Sequence, residues 1–280
     1  MLLVTGPNGV IGSAVVAELL AREVAFKVLV RDPAKVAQLP ANVVRVVGEL
    51  GDTSALQEAF RGVTRAFLLS PVIDPARFGR TLAAAEAAGI EHIVKLSTLE
   101  AGYGNDGIAR WHRAEELQIE ASGLAWTFVR PGNFSSNALH WSHSIRREGK
   151  VYAATGHGKS APIDPSDIAA VIVHALTQAQ QSGQSYQLTG PELWNVAEQT
   201  EILARVLGKP LSFIAVDPDS AGAELRQYGA PDVMVAALIE LWKQIAVDDK
   251  PVMTNTVSQL LGRPAGTFEQ WAEAHRYAFA

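Results

Sequence analysis

Three evenly spaced glycines, Gly6, Gly9 and Gly12, constrain this chain more than any other feature. A short apolar run, Leu2 to Val4, precedes them, and an apolar-periodic stretch from Val10 to Leu20 follows. The first reads as a buried strand and the second as a helix, so the glycines occupy a strand-to-helix turn. Each has a separate task. Gly6 permits the tight turn, Gly9 lets backbone approach a pyrophosphate, and Gly12 lets the helix pack close to the sheet. The helix start then presents unpaired N–H groups and a positive dipole end to phosphates. The turn, with Asn8, Val10 and Ile11 between its glycines, is therefore read as dinucleotide-binding. Its spacing is G-x-x-G-x-x-G, not G-x-G-x-x-G.

Strands and helices alternate beyond the turn. Phe26–Val30, Val43–Val47, Arg65–Leu69, His92–Leu96 and Ala125–Val129 read as strands, with helices at Thr53–Phe60, Ala76–Ala88 and Ile108–Ser122. Ser185–Leu188 supplies a seventh strand. This order predicts an α/β fold: a doubly wound parallel sheet of the Rossmann kind with right-handed crossovers and a small C-terminal α/β lobe. Ligands of such sheets sit outside the carboxyl ends of the strands. Arg31, with Lys35 one turn later, then faces the adenosine ribose and favours NADP(H) through a charge-assisted contact. Asp32 follows at once, so NAD(H) stays possible. Glu49 and Leu50 fall beside the adenine. Leu69, Ser70 and Pro71 close the fourth strand, and Ser97 and Thr98 close the fifth. Pro131, Gly132, Asn133 and Phe134 leave the sixth.

The second half is less regular. The expected division gives residues 1–134 to the dinucleotide-binding domain, with its sheet completed by about 151–190. Residues 135–150 and 191–280 form the substrate-binding lobe. Ser135–Arg147 reads as a helix carrying His140, Trp141 and His143. His140 and Trp141 are candidates for an aromatic wall at a substrate pocket between lobe and sheet, or for plain packing. No third ligand at sensible spacing supports a metal. Asn195 with Glu198 and Thr267 with Gln270 have the form of helix-capping boxes. Three closing helices are expected near 219–228, 231–246 and 267–278.

Composition narrows the partners. The net charge is −5, which disfavours nucleic acid and anionic membranes. The chain has no cysteine, excluding disulfides and thiolate chemistry and fitting a reducing compartment. The most apolar helix, Ile168 to Leu176, is too short to span a bilayer. The first strand starts at residue 2, leaving no room for a signal peptide. A cytoplasmic protein, monomer or homodimer, acting on a small aromatic or quinone-like substrate is expected.

Several segments together resemble one group. They are Gly6-Pro-Asn-Gly-Val-Ile-Gly12, Val30-Arg-Asp-Pro-Ala-Lys35, Lys95-Leu-Ser-Thr-Leu99, Trp111-His112, Ser122 to Phe134, Leu188-Thr-Gly-Pro-Glu192, and Leu260 to Phe268 with Trp271. The chain resembles the NmrA-like atypical short-chain dehydrogenases over nearly its whole length. That group includes type-2 quinone oxidoreductases, triphenylmethane reductases, azoreductase-like proteins and redox-sensing regulators. The resemblance implies that 131–134 lie along the nicotinamide. It also shows a departure. Ordinary short-chain dehydrogenases carry Tyr-x-x-x-Lys, and here Ile108 and His112 stand at those positions. His112 is read as a ribose ligand, a proton donor, or a helix-face histidine held by Glu116. Ser97 and Thr98 are the other candidate catalytic groups, and Tyr103 in the preceding loop is a weaker substitute donor. Without the tyrosine, ketone reduction becomes difficult because the alkoxide needs a proton. A conjugated, electron-poor acceptor does not make that demand. The expected function is thus an NAD(P)H-dependent oxidoreductase acting on a quinone-like, azo or similar acceptor. A regulator that binds NADP(H) without turnover is the alternative, and a sugar-nucleotide epimerase is weakened by the missing pair.

Overall fold

A computed structural model describes residues 1–70, 74–103, 107–247 and 251–280. The chain forms, in order, β1 (Leu2–Thr5), α1 (Val10–Ala21), β2 (Phe26–Val30), β3 (Val44–Val47), α2 (Thr53–Phe60), β4 (Arg65–Leu68), α3 (Pro75–Ala87), β5 (His92–Leu96), α4 (Gly107–Ser122) and β6 (Ala125–Pro131). It continues with α5 (Ser142–Glu148), β7 (Lys150–Ala153), α6 (Pro165–Thr177), β8 (Gln184–Leu188), α7 (Val196–Leu207) and β9 (Ser212–Ala215). The last described helices are α8 (Pro218–Gln227), α9 (Asp232–Val247), α10 (Thr256–Leu261) and α11 (Phe268–Ala274).

Seven strands form one sheet in the order β3-β2-β1-β4-β5-β6-β8. The pairs from β3 through β6 are parallel. This is the expected Rossmann architecture. Strands buried on both faces explain the mostly apolar runs: every residue of β1 and β2 is buried, Lys27 among them. The order reverses between β1 and β4, which creates the crevice where such sheets bind ligands. A side chain reinforces that point. Thr5 donates its hydroxyl to the Phe67 carbonyl at 3.1 Å and accepts from the Leu69 amide at 2.8 Å.

The chain divides into two units. The first comprises 1–98, 111–131 and 165–187, and the second 99–110, 132–164 and 188–280. The expected bounds are corrected accordingly. Residues 151–164 do not complete the main sheet, because β7 pairs in parallel with β9 to form a separate two-stranded sheet. Val151 is buried with Ile145, Leu203, Phe268, Trp271 and Phe279 in the core of the second unit. Both capping boxes form, at Asn195–Glu198 and Thr267–Gln270. The expected single helix 135–147 is instead a 3₁₀ segment, Ser135–Trp141, followed by α5. Serine and asparagine are poor residues for an α-helical first turn, and Ser135, Ser136 and Asn137 stand there in a row. Among the closing helices, α10 was not expected. At six residues it is too short to show a period, and Gly262 ends it at φ +67°.

Candidate active site

The glycine turn combines a strained position, a close approach and an open space. Gly6 sits at φ +63°, where a side chain is disfavoured, and Leu69 covers it. A Cβ on Gly12 would lie 1.9 Å from the Gly6 carbonyl oxygen. The close approach that requires Gly12 is thus to the turn itself, and the expected helix-to-sheet contact is corrected. At Gly9 a Cβ would meet only the Gly6 oxygen, at 3.6 Å. The protein alone leaves room there, and a backbone-hugging phosphate would use it. Helix α1 also lacks a side-chain cap, and no acidic residue stands in its first turn. Asp52 and Asp74 cap α2 and α3. The uncapped end fits an anionic ligand. Asn8 and Val10 are exposed, whereas the Ile11 side chain is buried in the core, leaving backbone as its means of contact.

Beyond β2, Arg31 and Lys35 are exposed and form no ion pair among the described residues. Asp32 turns back to cap the 3₁₀ segment Pro33–Val36, accepting from the Ala34 amide at 3.0 Å. Its carboxylate is therefore engaged locally. Glu49 pairs with Arg77 at 3.0 Å. Leu50 is a core residue in one cluster with Leu29, Ala55 and Phe78, which leaves backbone as its means of contact with an adenine. Ser70 is half-buried, and Pro71 lies outside the described residues.

The inner face of α4 carries two adjacent buried acids with different partners. Glu116, fully buried, accepts from Ser97 Oγ at 2.6 Å, from Arg130 at 2.9 and 2.6 Å, and from Arg113 at 3.1 Å. Burial alone would raise its pKa. The hydrogen bonds from Arg130 and Ser97, the Arg130 charge and the Arg113 bond outweigh burial and hold it below the usual range. The expected His112–Glu116 pair does not form. The arginines and serine satisfy the carboxylate instead. Ser97 is buried and its hydroxyl donates to Glu116. Thr98 is half-buried beside it.

Glu115 pairs with Lys95 at 2.9 Å. The reading of the sequence missed this lysine. It occupies β5, 0% exposed, with Nζ also 2.8 Å from the Leu96 carbonyl and 3.0 Å from His112 Nδ1. Its signal was available: a charge inside a strand buried on both faces must find partners. Burial pushes the Lys95 pKa down against the opposing pull of Glu115. Burial and the Lys95 charge push the His112 ring down to about 3. His112 is thus a neutral imidazole at physiological pH.

The remaining candidates lie mostly in the second unit. Pro131 is buried at the end of β6. The Gly132 amide donates to the Leu188 carbonyl at 2.9 Å, and a Cβ on Gly132 would lie 3.3 Å from the Leu99 side chain. Asn133 donates to Ser160 and accepts from Asn137. Phe134 bridges to Ile163. Trp141 packs on the core of the second unit, while His140 and Tyr103 are exposed.

Comparison with known proteins follows this geometry. A model of an NAD(P)H-binding family matches residues 6–179. The chain is 37% identical over 283 residues to an NAD(P)H azoreductase of Xenophilus azovorans, covering 100% of this chain and 99% of that protein. It is 40% identical over 282 residues to a (4-alkanoyl-5-oxo-2,5-dihydrofuran-3-yl)methyl phosphate reductase of Streptomyces griseus, with coverage of 100% and 99%. Among solved structures, the NADPH-dependent quinone oxidoreductase of Escherichia coli, complexed with NADPH, superimposes with a TM-score of 0.84 at 28% identity. That match covers 99% of this chain and 100% of the other.

Proposed function

We propose, for a chain that belongs to the NAD(P)H-binding family, that it reduces quinone-like, azo or other conjugated electron-poor acceptors without a Tyr-x-x-x-Lys acid. The chain is an NAD(P)H-dependent oxidoreductase, as its azo- and quinone-reducing relatives support. The turn 6–12 would hold the pyrophosphate, and Arg31 with Lys35 would select NADP(H) over NAD(H). When bound, the dinucleotide supplies a hydride. Proximity and orientation then do most of the catalysis.

One observation carries the choice of acceptor. By the family resemblance, Ile108 and His112 take the places of the tyrosine and lysine of ordinary short-chain dehydrogenases, and burial with the Lys95 charge lowers the His112 pKa to about 3. His112 itself therefore offers a neutral N–H rather than an imidazolium, a poor match for a strongly basic alkoxide. Hydride addition to a conjugated centre gives a delocalised or neutral product that a weak donor can complete. Following NADPH absorbance against simple ketones, quinones, azo dyes and cationic dyes tests this reading. Turnover of the conjugated acceptors with little ketone reduction is expected. Ketone turnover at comparable rates would overturn it. Tight NADPH binding with no turnover of any acceptor would point to a regulator.

A further inference from the structure

We propose that Lys95 is the proton reserve of this enzyme, delivered through His112, whose ring it holds in the Nε2–H form. The proposal rests on the reductase reading above and deepens it. It begins with the acceptors around one ammonium group. Lys95 Nζ lies 2.9 Å from Glu115 Oε2, 2.8 Å from the Leu96 carbonyl and 3.0 Å from His112 Nδ1. A carbonyl oxygen and an ionised carboxylate can only accept, so they take two of the three hydrogens. The third points to His112 Nδ1. A neutral ring receiving a hydrogen bond at Nδ1 carries its own hydrogen on Nε2.

Burial separates the two members. Lys95 is 0% exposed, whereas His112 is partly exposed. The outward proton step is therefore placed at His112. The other charged groups on this face are accounted for. Glu116 is held by Arg113, Arg130 and Ser97 and acts on Lys95 only through its field. Burial weakens the hold of Lys95 on its proton, which suits a donor.

The proton balance closes. A quinone that has gained a hydride carries an extra electron pair as an oxyanion. His112 Nε2–H gives that oxygen its proton, and the Lys95 ammonium passes one of its own to Nδ1. Lys95 ends as a neutral amine and His112 as the neutral Nδ1–H tautomer. The acceptor has gained one hydride and one proton, and solvent later returns one proton to the pair. A cationic dye differs, because hydride addition cancels its charge and no proton is required.

Two measurements test the proposal. The first uses the protein without nucleotide: long-range ¹H–¹⁵N correlation of the His112 ring near neutral pH. The Nε2–H tautomer is expected in the wild type and a mixture of tautomers in Lys95→Met. A dominant Nδ1–H form in the wild type would overturn the pairing. The second compares kcat for one quinone and one triphenylmethane dye. In Lys95→Met and in His112→Phe the quinone-to-dye ratio of kcat should fall about 10²-fold or more, the scale of general-acid loss. A ratio within twofold of wild type would overturn the proton route. His112→Phe carries this arm should Lys95→Met fail to fold. Failure of the wild type to reduce either acceptor would instead overturn the reductase reading and the destination of the proton, while the ring spectrum still judges the tautomer.

Discussion

Two parts of the first unit handle charge in opposite ways. The turn from Gly6 to Gly12 holds no charged side chain, and the end of α1 is left uncapped. Its positive field comes from backbone alone and has no partner within the turn. The acids on the inner face of α4 are buried and matched: Glu115 with Lys95 of β5, and Glu116 with Arg130 of β6 and the partly exposed Arg113. The difference separates two kinds of requirement. A site for a ligand's charge must stay unsatisfied until the ligand arrives. A buried charge must be satisfied by the fold, because unpaired burial costs several kcal/mol. Substitution at Gly9, the open position of the turn, should therefore act on binding, and substitution of the buried acids on α4 should act first on stability.

The strongest test of that separation is Glu116→Ala. It leaves the Arg130 guanidinium and the Ser97 hydroxyl without their carboxylate. We expect a loss of about 3–5 kcal/mol in urea unfolding, the usual cost of breaking a buried pair. A loss below about 1 kcal/mol would mean that water reaches the site and the charges are not bound as one network.

Gly9→Val tests the other side. The φ of −82° is ordinary and the space around the Cβ is open, so unfolding should shift by about 1 kcal/mol or less, the scale of a poorer N-cap. NADPH affinity should fall at least about 100-fold, roughly 2.7 kcal/mol. Calorimetry that finds NADPH binding intact would move the phosphates away from this turn.

Arg31→Ala sharpens the comparison within the nucleotide site. One lost charge-assisted contact is worth about 1.5–3 kcal/mol, or about 10- to 100-fold in affinity. NADPH should lose that much and NADH little. Equal losses for both cofactors would remove Arg31 from any role in choosing between them.

The smallest effect is in pH. His112 is lowered to about 3, by burial and the Lys95 charge. His92 is lowered to about 4, by burial and the Arg65 charge. Between these values and the ordinary 6.5 the unfolded chain binds more protons, so stability rises with pH. The contribution is complete above about pH 6.5 and is lost as pH falls toward the folded values. Each histidine should cost about 1 kcal/mol between about pH 7 and pH 5.5. Flat stability over that range would show that both rings titrate normally. The same shift means that the activity profile should show no limb near 6.5 from His112.

These regions also differ in how far the sequence reveals them. The turn was legible because its requirement is local: a positive φ at Gly6 and a 1.9 Å approach at Gly12 admit only glycine. The capping boxes were legible for the same reason, since partner and cap stand three residues apart. Lys95 was overlooked because its partners Glu115 and His112 stand on another element and meet it only in the folded chain. In sequence it reads as one lysine inside the apolar run of β5. The His-x-x-x-Glu spacing was seen, but helix geometry cannot tell which acid faces which base. Glu116 turned to Arg130, a residue on a different strand. In the second unit, β7 and β9 are four residues each and far apart in the chain, so no local pattern announces their pairing.

The interleaving of the two units bears on how the protein is made. Helix α6 packs on α1, although more than a hundred residues separate them. Ile11, Val15, Val16 and Leu19 of α1 are buried in the finished protein. A nascent chain that has left the ribosome only as far as β6 has neither α6 nor β8, so the apolar face of α1 is uncovered and the β6 edge of the sheet is unpaired. The first unit cannot close until residue 187 has emerged, by which point the chain has already crossed twice into the second unit. Synthesis thus runs through a long interval with exposed apolar surface, the condition under which chains of this size aggregate or engage chaperones.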